Sequence, residues 1–317
     1  MNNRTLRAQP PQPRYLMCPP QYFAVTYSIN PWMDPKAWAK SGATLHATAL
    51  RQWDGLHRAL LASGAEIETL EARPDLPDLV FTANAAVVLN RKALLACFFH
   101  HERRREQPVI VLAFRSLKAR GLIDEIVEMP ESVALEGAGD CIWDRHRQLF
   151  WMGCGFRSQL AASKVVEERF GVPCVPLALA DPSFYHLDTA FCALPDGEVI
   201  YYPRAFTRAA LKAIHERVAP AKRIVLDRAD AARFAANAVC IGRAIMMSSC
   251  SVALRCTLEE RGYDVVKAPL HVFLRSGGSA CCLTLRLDHA TDAAVPLVSV
   301  RNSENRSRAA TKALFAG

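Results

Sequence analysis

The chain has 317 residues, of which 51% are hydrophobic and 22% charged, a composition typical of a globular protein with a large core. The formal net charge of +8 would suit nucleic-acid binding, but the basic residues are dispersed and no nucleic-acid motif accompanies them. No apolar stretch is long enough to predict a signal peptide or a membrane span, so we expect a cytoplasmic protein that binds neither nucleic acid nor membrane.

The chain begins with a polar, basic and proline-bearing segment, and residues 1–14 are predicted to form a flexible tail. The segment YFAVTYSINPWM, which ends at Met33, is predicted to supply strand material, and residues 43–62 are predicted to form a helix. The dense basic run at 100–105 is predicted to be a solvated turn or the start of a helix.

A strand, turn, strand pattern recurs five times along the chain, and repeats of this kind identify an architecture more reliably than single elements. It is seen in FTANAAVVLNRKALLACF, GDCIWDRHRQLFWMG, LDTAFCALPDGEVIYYP, FAANAVCIGRAIMMSS and, with a less clear second strand, CCLTLRLDHA. The equivalent positions, at which each module opens and which lie 45 to 56 residues apart, are Asn84, Asp140, Asp188, Asn237 and Cys282.

Each of the middle three strand pairs is followed by an amphipathic helical stretch, at 157–170, 207–218 and 252–261, and then by a short apolar strand. A module of this kind cannot bury its apolar face alone, whereas a closed ring of five modules can, and it leaves no exposed sheet edge. Residues 15–317 are therefore expected to form one α/β domain of five ββαβ-type modules. The alternative is an ordinary doubly wound sheet, but the chain lacks the glycine-rich phosphate loop that would favour it.

Eleven cysteines are scattered along the chain, without the two-residue spacing of a structural zinc site. Free thiols in a reducing compartment are expected, and most of them, such as Cys97, Cys141 and Cys240, are predicted to lie in the core. Cys282 differs because it follows two glycines in SGGSACCLTL, which lets the backbone approach a ligand closely. Taken alone, it is as consistent with a core cysteine as with a nucleophile.

Other candidates for chemistry lie at or beside the module openings. His186 and Asp188, in FYHLDTAF, are predicted to share one face of an extended segment, and Glu136 lies on the glycine-rich turn LEGAGD. Each is also compatible with a structural role, as are Asn84 and Asn237 at matching repeat positions. A ring would bring all these residues together at its centre, and this convergence indicates a single site.

Several motifs, and the order in which they occur, resemble those of the guanidine-modifying superfamily, or penteins. This superfamily includes arginine deiminases, dimethylarginine dimethylaminohydrolases, arginine dihydrolases and amidinotransferases. The motifs are INPWM, DLVFTANA, LEGAGD, GFRS, HLDT and SGGSACCLTL, and they span nearly the whole chain. The resemblance implies a fivefold pseudosymmetric α/β propeller around a central channel. It also implies a catalytic domain that needs no metal and no cofactor.

The resemblance assigns roles by motif position. Cys282 is the implied nucleophile, because Leu-Thr-Leu follows it as the family pattern requires, while the purpose of Cys281 stays open. His186 is the implied general acid and base. The implied substrate contacts are Glu136 and Asp188 on the guanidinium, Arg157 on the α-carboxylate, and Asn30 and Asn84 elsewhere. Asn84 replaces the aspartate of arginine deiminases, which makes the chain more similar to the arginine dihydrolases.

The expected activity is therefore hydrolysis of a guanidinium carbon–nitrogen bond of arginine or N-methylated arginine through a covalent thiouronium. Products would be citrulline with ammonia or methylamines, and a second cycle would give ornithine. An amidinotransferase and a non-catalytic propeller that binds ribosomes are the alternatives. No cyclodeaminase domain is expected, because the chain ends soon after the fifth module, and a homo-oligomer is compatible with the sequence.

Overall fold

A computed structural model describes residues 12–292 of the protein. It contains five three-stranded sheets of one design. In each sheet the first strand runs antiparallel to the second and the third runs parallel to the second, with a helix between the second and third strands. The repeat predicted from the sequence is therefore a repeat of sheets.

The strands are short, and in chain order they are β1 (Arg14–Met17), β2 (Glu66–Thr69), β3 (Ala86–Leu89), β4 (Lys92–Leu95), β5 (Glu125–Glu128), β6 (Cys141–Asp144), β7 (Leu149–Cys154), β8 (Cys174–Ala178), β9 (Phe191–Ala193), β10 (Val199–Tyr201), β11 (Arg223–Val225), β12 (Val239–Ile241), β13 (Ala244–Met247), β14 (Asp264–Lys267) and β15 (Leu285–Arg286). The helices are α1 (Pro35–Ala39), α2 (Gly42–Ala62), α3 (His101–Arg104), α4 (Gln107–Ala119), α5 (Gly137–Asp140), α6 (Ala162–Phe170), α7 (Arg208–Arg217), α8 (Arg228–Ala232) and α9 (Val252–Glu260). Of these helices, none is long and apolar enough to cross a membrane.

The fifth sheet is assembled from both ends of the described chain, in the order β15, β1, β2. Its middle strand is Arg14–Met17, so the prediction that the segment ending at Met33 supplies this strand was wrong. Tyr15, Leu16 and Met17 are all buried, whereas the stretch up to Met33 forms turns and bends. Arg14 thus belongs to the sheet, and residues 1–11 of the predicted tail lie outside the described part, as do residues 293–317.

The helices predicted in the middle modules are present, and their starts follow local capping chemistry. Thr207 and Ser251 accept hydrogen bonds from backbone N–H groups in the first turns of α7 and α9. The helix predicted over 157–170 begins only at Ala162. Residues 157–161 are not helical because Arg157 and Ser158 are buried in contacts with the LEGAGD turn.

The module openings are bonded to one another in chain order. Leu187 N donates to Asp140 Oδ1 at 2.9 Å, and Asn84 Nδ2 donates to the Glu136 carbonyl at 3.1 Å. Asn237 donates to the Asp188 carbonyl at 3.1 Å. Further hydrogen bonds link Cys282 N to Asn237 Oδ1 at 3.2 Å and Ala83 N to the Cys282 carbonyl at 3.2 Å. The last module therefore contacts the first as well as the fourth.

If Arg14–Met17 forms the middle of the fifth sheet, Leu16→Ala should lower the free energy of unfolding by about 2–5 kcal/mol, because it deletes a fully packed side chain. Urea denaturation measures this. Leu112→Ala, at a leucine that is 62% exposed on α4, is the control and should change stability by about 0.5 kcal/mol or less. Equal effects of the two substitutions would contradict the placement of β1.

Candidate active site

A small cavity lies where the module openings meet. Its lining includes five of the seven residues singled out from the sequence: Asn30, Asn84, Arg157, His186 and Cys282. The other two, Glu136 and Asp188, are fully buried and contact lining residues directly. The structure therefore brings the predicted residues together, although they are spread over some 250 positions of the chain.

The Cys282 thiol is buried beside a carboxylate. It donates a hydrogen bond to Asp188 Oδ2 at 3.0 Å and accepts one from Asn237 Nδ2 at 3.0 Å. Burial, and then the negative charge of Asp188, raise the pKa of the Cys282 thiol well above its ordinary value. Without a ligand the sulfur is therefore protonated, and a nearby positive charge is needed to form the thiolate.

Asp188 shares this environment. Burial raises the pKa of its carboxyl to about 7. Its second oxygen, Oδ1, is buried without a hydrogen-bond partner among the described residues. An unused acceptor of this kind is suited to an N–H donor that arrives with a ligand.

His186 is paired with Glu136. Its Nε2 lies 2.7 Å from Glu136 Oε2, and its other ring nitrogen has no partner within the described chain. Burial alone would raise the pKa of Glu136, but the Arg157 guanidinium and the His186 ring lower it below its usual range. Glu136 is therefore ionised and can stabilise a positive charge on the imidazole.

The extended segment predicted to hold His186 and Asp188 on one face is instead a 3₁₀ turn, Leu187–Thr189. The turn forms because the Thr189 hydroxyl and amide both donate to the His186 carbonyl. As a result the His186 ring contacts Glu136, while the Asp188 carboxylate contacts Cys282. His186 and Asp188 therefore contact different side chains of the site.

Asp140 lies behind the His186 and Glu136 pair and is hydrogen-bonded to the backbone beside each of them, directly at Leu187 and through Ser158 at Glu136. Its Oδ1 accepts from Leu187 N, and its Oδ2 accepts from the Ser158 hydroxyl at 2.7 Å. Ser158 in turn accepts from Glu136 N at 2.9 Å. A single buried carboxylate therefore sets the separation of the imidazole and its partner.

Arg157 reaches the cavity from the segment before α6. Its guanidinium donates to Glu136 Oε2 at 2.9 Å and to the Ile29 carbonyl at 3.0 Å, and it lies 4.6 Å from the centre of the Tyr185 ring. These hydrogen bonds use two of its five N–H groups. Its role as a clamp for a substrate carboxylate stays a prediction.

Both predicted asparagines are tied to protein groups. Asn30 Nδ2 donates to the Ser276 carbonyl at 3.1 Å, and its Oδ1 accepts from Trp32 N at 2.9 Å. Asn84 donates to the Glu136 carbonyl and accepts from Arg103 Nη1 at 2.7 Å. Each amide therefore has a fixed orientation at the cavity wall.

Sequence reasoning missed Arg103 and Asp78, which also line the cavity. The run at 100–105 does begin a short helix, but Arg103 is 3% exposed, so the view of this run as solvated was wrong for that residue. It is buried because Glu106, three residues later in the turn between α3 and α4, pairs with it. That spacing of Arg and Glu is visible in the sequence, but it does not reveal which face turns inward.

Among residues 12–292, all eleven cysteines are free, and most are buried, including Cys97 and Cys141. Cys240 is only partly buried. No cluster of three or more histidine, cysteine or acidic side chains in the described part could hold a metal ion.

Comparisons with known proteins agree on one family. The family described as N,N dimethylarginine dimethylhydrolase, eukaryotic, matches residues 19–288. The bifunctional arginine dihydrolase/ornithine cyclodeaminase AgrE of Nostoc is 40% identical over 274 residues, which is 86% of this chain but 38% of AgrE. The chain thus spans well under half of that relative. An N(G),N(G)-dimethylarginine dimethylaminohydrolase of Mycobacterium tuberculosis is 35% identical, over 89% of this chain and 88% of that protein.

Solved structures give the same result. The N-terminal domain of ArgZ, a cyanobacterial arginine dihydrolase crystallised as a mutant bound to its substrate, superposes with a TM-score of 0.82 at 37% identity. The match covers 88% of this chain and 99% of that domain. Unliganded AgrE superposes with a TM-score of 0.84, over 90% of this chain and 40% of AgrE.

The raised pKa of Asp188 has a consequence for stability. Its pKa is about 7 in the folded protein and about 4 when unfolded, so its contribution to stability falls as the pH rises from 4 to 7. Asp188→Asn removes this titration. Relative to wild type, the unfolding free energy of the variant should therefore be higher at pH 7 than at pH 4 by roughly 2–4 kcal/mol. Denaturation at several pH values tests this, and a constant difference would contradict the assignment.

Proposed function

Because the chain belongs to the family described as N,N dimethylarginine dimethylhydrolase, we propose that it hydrolyses a guanidinium carbon–nitrogen bond of arginine or an N-methylated arginine. The proposal rests on one observation. A protonated Cys282 thiol, the Asp188 carboxylate and the His186 and Glu136 pair meet at one buried cavity. This arrangement suits a planar cation attacked by sulfur.

Substrate binding is proposed to activate the nucleophile. A guanidinium group that donates to Asp188 Oδ1 would bring a positive charge beside Cys282 and so lower the pKa of its thiol. Arg157, a buried cation on the cavity wall, would attract the α-carboxylate at the other end of the substrate. Asn30 and Asn84 would complete the wall.

In the proposed reaction His186 takes the thiol proton and the thiolate of Cys282 adds to the guanidinium carbon. The imidazolium then gives its proton to the departing amine, and the adduct collapses to a thiouronium on sulfur. Glu136, which is ionised, stabilises the imidazolium during this step. Water that loses a proton to His186 then adds to the same carbon, the carbon–sulfur bond breaks, and the ureido product leaves with the thiol restored.

We also propose that the five sheets close into a propeller around a central channel. The hydrogen bonds between successive openings, including the one from Ala83 to Cys282 that joins the first module to the last, support this arrangement. A reducing, cytoplasmic environment is proposed as well, since eleven cysteines are free in the described chain.

The identity of the substrate depends on one or two methyl groups, which are worth only about 1–3 kcal/mol in a pocket. Arginine would give citrulline and ammonia, with ornithine, carbon dioxide and more ammonia after a second cycle. Methylated arginine would release methylamine or dimethylamine. Asn84, in place of the aspartate of arginine deiminases, favours the dihydrolase alternative.

A screen of arginine, citrulline, agmatine and monomethyl- and dimethylarginine for released ammonia or amine tests the activity. Cys282→Ala should lower turnover by at least about 10³-fold, because it removes the sulfur that forms the covalent intermediate. Cys256→Ala, at an exposed thiol, is the control and should be fully active. Turnover that survives in Cys282→Ala would refute the nucleophile, and guanidino transfer to glycine in place of hydrolysis would favour an amidinotransferase.

The role of Asn84 can be tested by product analysis. Asn84→Asp adds a negative charge at the cavity wall, which should disfavour the neutral ureido group of citrulline more than the cation of arginine. We expect the variant to release a larger share of citrulline and less ornithine than wild type, measured by chromatography of the products. Unchanged product ratios in a folded, active variant would count against this role.

A further inference from the structure

A buried ion pair joins Arg103, which lines the cavity, to Glu106, which does not. Arg103 Nε and Nη2 donate to the two carboxylate oxygens of Glu106, each at 2.8 Å, and both side chains are almost completely buried. Glu106 keeps the pKa of Arg103 above its usual range despite the cost of burial. Burial raises the pKa of the Glu106 carboxyl to about 7, and its two hydrogen bonds from the Arg103 guanidinium oppose this and favour the ionised form. Because desolvating two charges is costly, the pair is expected to serve a purpose beyond packing.

The pair acts on Asn84 through another N–H group of Arg103. Arg103 Nη1 donates to Asn84 Oδ1 at 2.7 Å, while Asn84 Nδ2 donates to the Glu136 carbonyl at 3.1 Å. A guanidinium only donates and a carbonyl only accepts, so the amide of Asn84 has one permitted orientation. The side chain at position 84 must accept on one side and donate on the other.

The glycine-rich turn that carries Glu136 approaches Asn84 closely. Gly137 adopts a φ of 60°, and a Cβ at this position would lie 2.5 Å from the Ala83 carbonyl oxygen. A Cβ at Gly139 would collide with Asn84 Nδ2. The turn that carries Glu136 is therefore packed directly against Ala83 and Asn84.

The charge of Glu106 determines whether Arg103 can neutralise a carboxylate at position 84. With Glu106 ionised, the charge of Arg103 is already neutralised, so an aspartate at position 84 would be a second carboxylate beside one cation. An ionised aspartate would also face the Glu136 carbonyl without a proton to donate. If Glu106 were uncharged, Arg103 could neutralise that aspartate instead. The requirement for an uncharged side chain at position 84 thus depends on the charge at position 106.

We propose that Glu106 is a positioning residue that, through Arg103, requires a neutral amide at position 84 and holds it in one orientation. Glu106 does not line the cavity, and it acts through two intermediate side chains. The inference rests on the proposed function in so far as Asn84 faces the substrate.

A charge-exchange cycle tests the proposal with Asn84→Asp, Glu106→Gln and the double variant. We expect each single variant to melt at a lower temperature than wild type and to lose at least tenfold in kcat/KM on the best guanidino substrate. The double variant should recover at least fivefold in kcat/KM over Asn84→Asp alone, and it should melt higher than the sum of the two losses predicts. Recovery on both measures is not expected of a residue that merely packs.

The control is Glu168→Gln, which neutralises a glutamate in an exposed pair with Lys164. Combined with Asn84→Asp, it should bring no recovery. Additive losses in the Glu106 cycle, or recovery by the control, would overturn the proposal. If the wild type turns over no guanidino compound, the proposed function fails. The melting temperatures then decide the positioning role alone, with recovery supporting it and additivity overturning it.

Discussion

The hydrogen bond from the Cys282 thiol to the Asp188 carboxylate is the interaction on which the rest of the site depends. Two acidic groups share one proton in a buried place, with Asp188 titrating near pH 7 and the thiol well above its ordinary range. Beside this carboxylate the thiol does not form an anion easily until a cation enters. A guanidinium is planar, carries its charge over three nitrogens and offers several N–H donors, so it can satisfy both.

The fold places this pair by bringing module openings together. Asp188 and Cys282 come from different modules, and Asn237, from the module between them, bonds to both. On the opposite side, Asp140 and Ser158 hold His186 and Glu136 at a fixed separation. Each reactive group is therefore supported by backbone contacts across a module boundary, which keeps the geometry fixed before any ligand binds.

Much of this could be predicted from the sequence, because the modules repeat. The strand pairs, the helices of the middle modules and the residues that gather at the openings follow from patterns within one module. The predictions failed where long-range contacts decide the structure. The fifth sheet takes its middle strand from Arg14–Met17 because that segment pairs with Leu285–Arg286 at the other end of the described chain. No local pattern contains this information.

The same limit applies to the site. Arg103 lies in a basic run whose composition predicts exposure, and its contacts with Glu106 and Asn84 explain its burial. Arg157 interrupts a helical pattern because its contacts to Glu136 and Ile29 hold it in the site. Sequence motifs could therefore identify the residues that gather at the cavity, but not the partners that orient them. The chemical roles of these residues are still predictions.

The most direct test of the central claim is a pH titration of the ultraviolet absorbance of the Cys282 thiolate, taken as the difference between wild type and Cys282→Ala. It is run with and without guanidinium ion at a concentration that leaves the protein folded. We expect the thiol pKa to lie above its usual value of about 8.5 in the free protein, and the ligand to lower it by about one unit or more. A thiolate already present at neutral pH without ligand, or a pKa that the cation does not change, would contradict the claim.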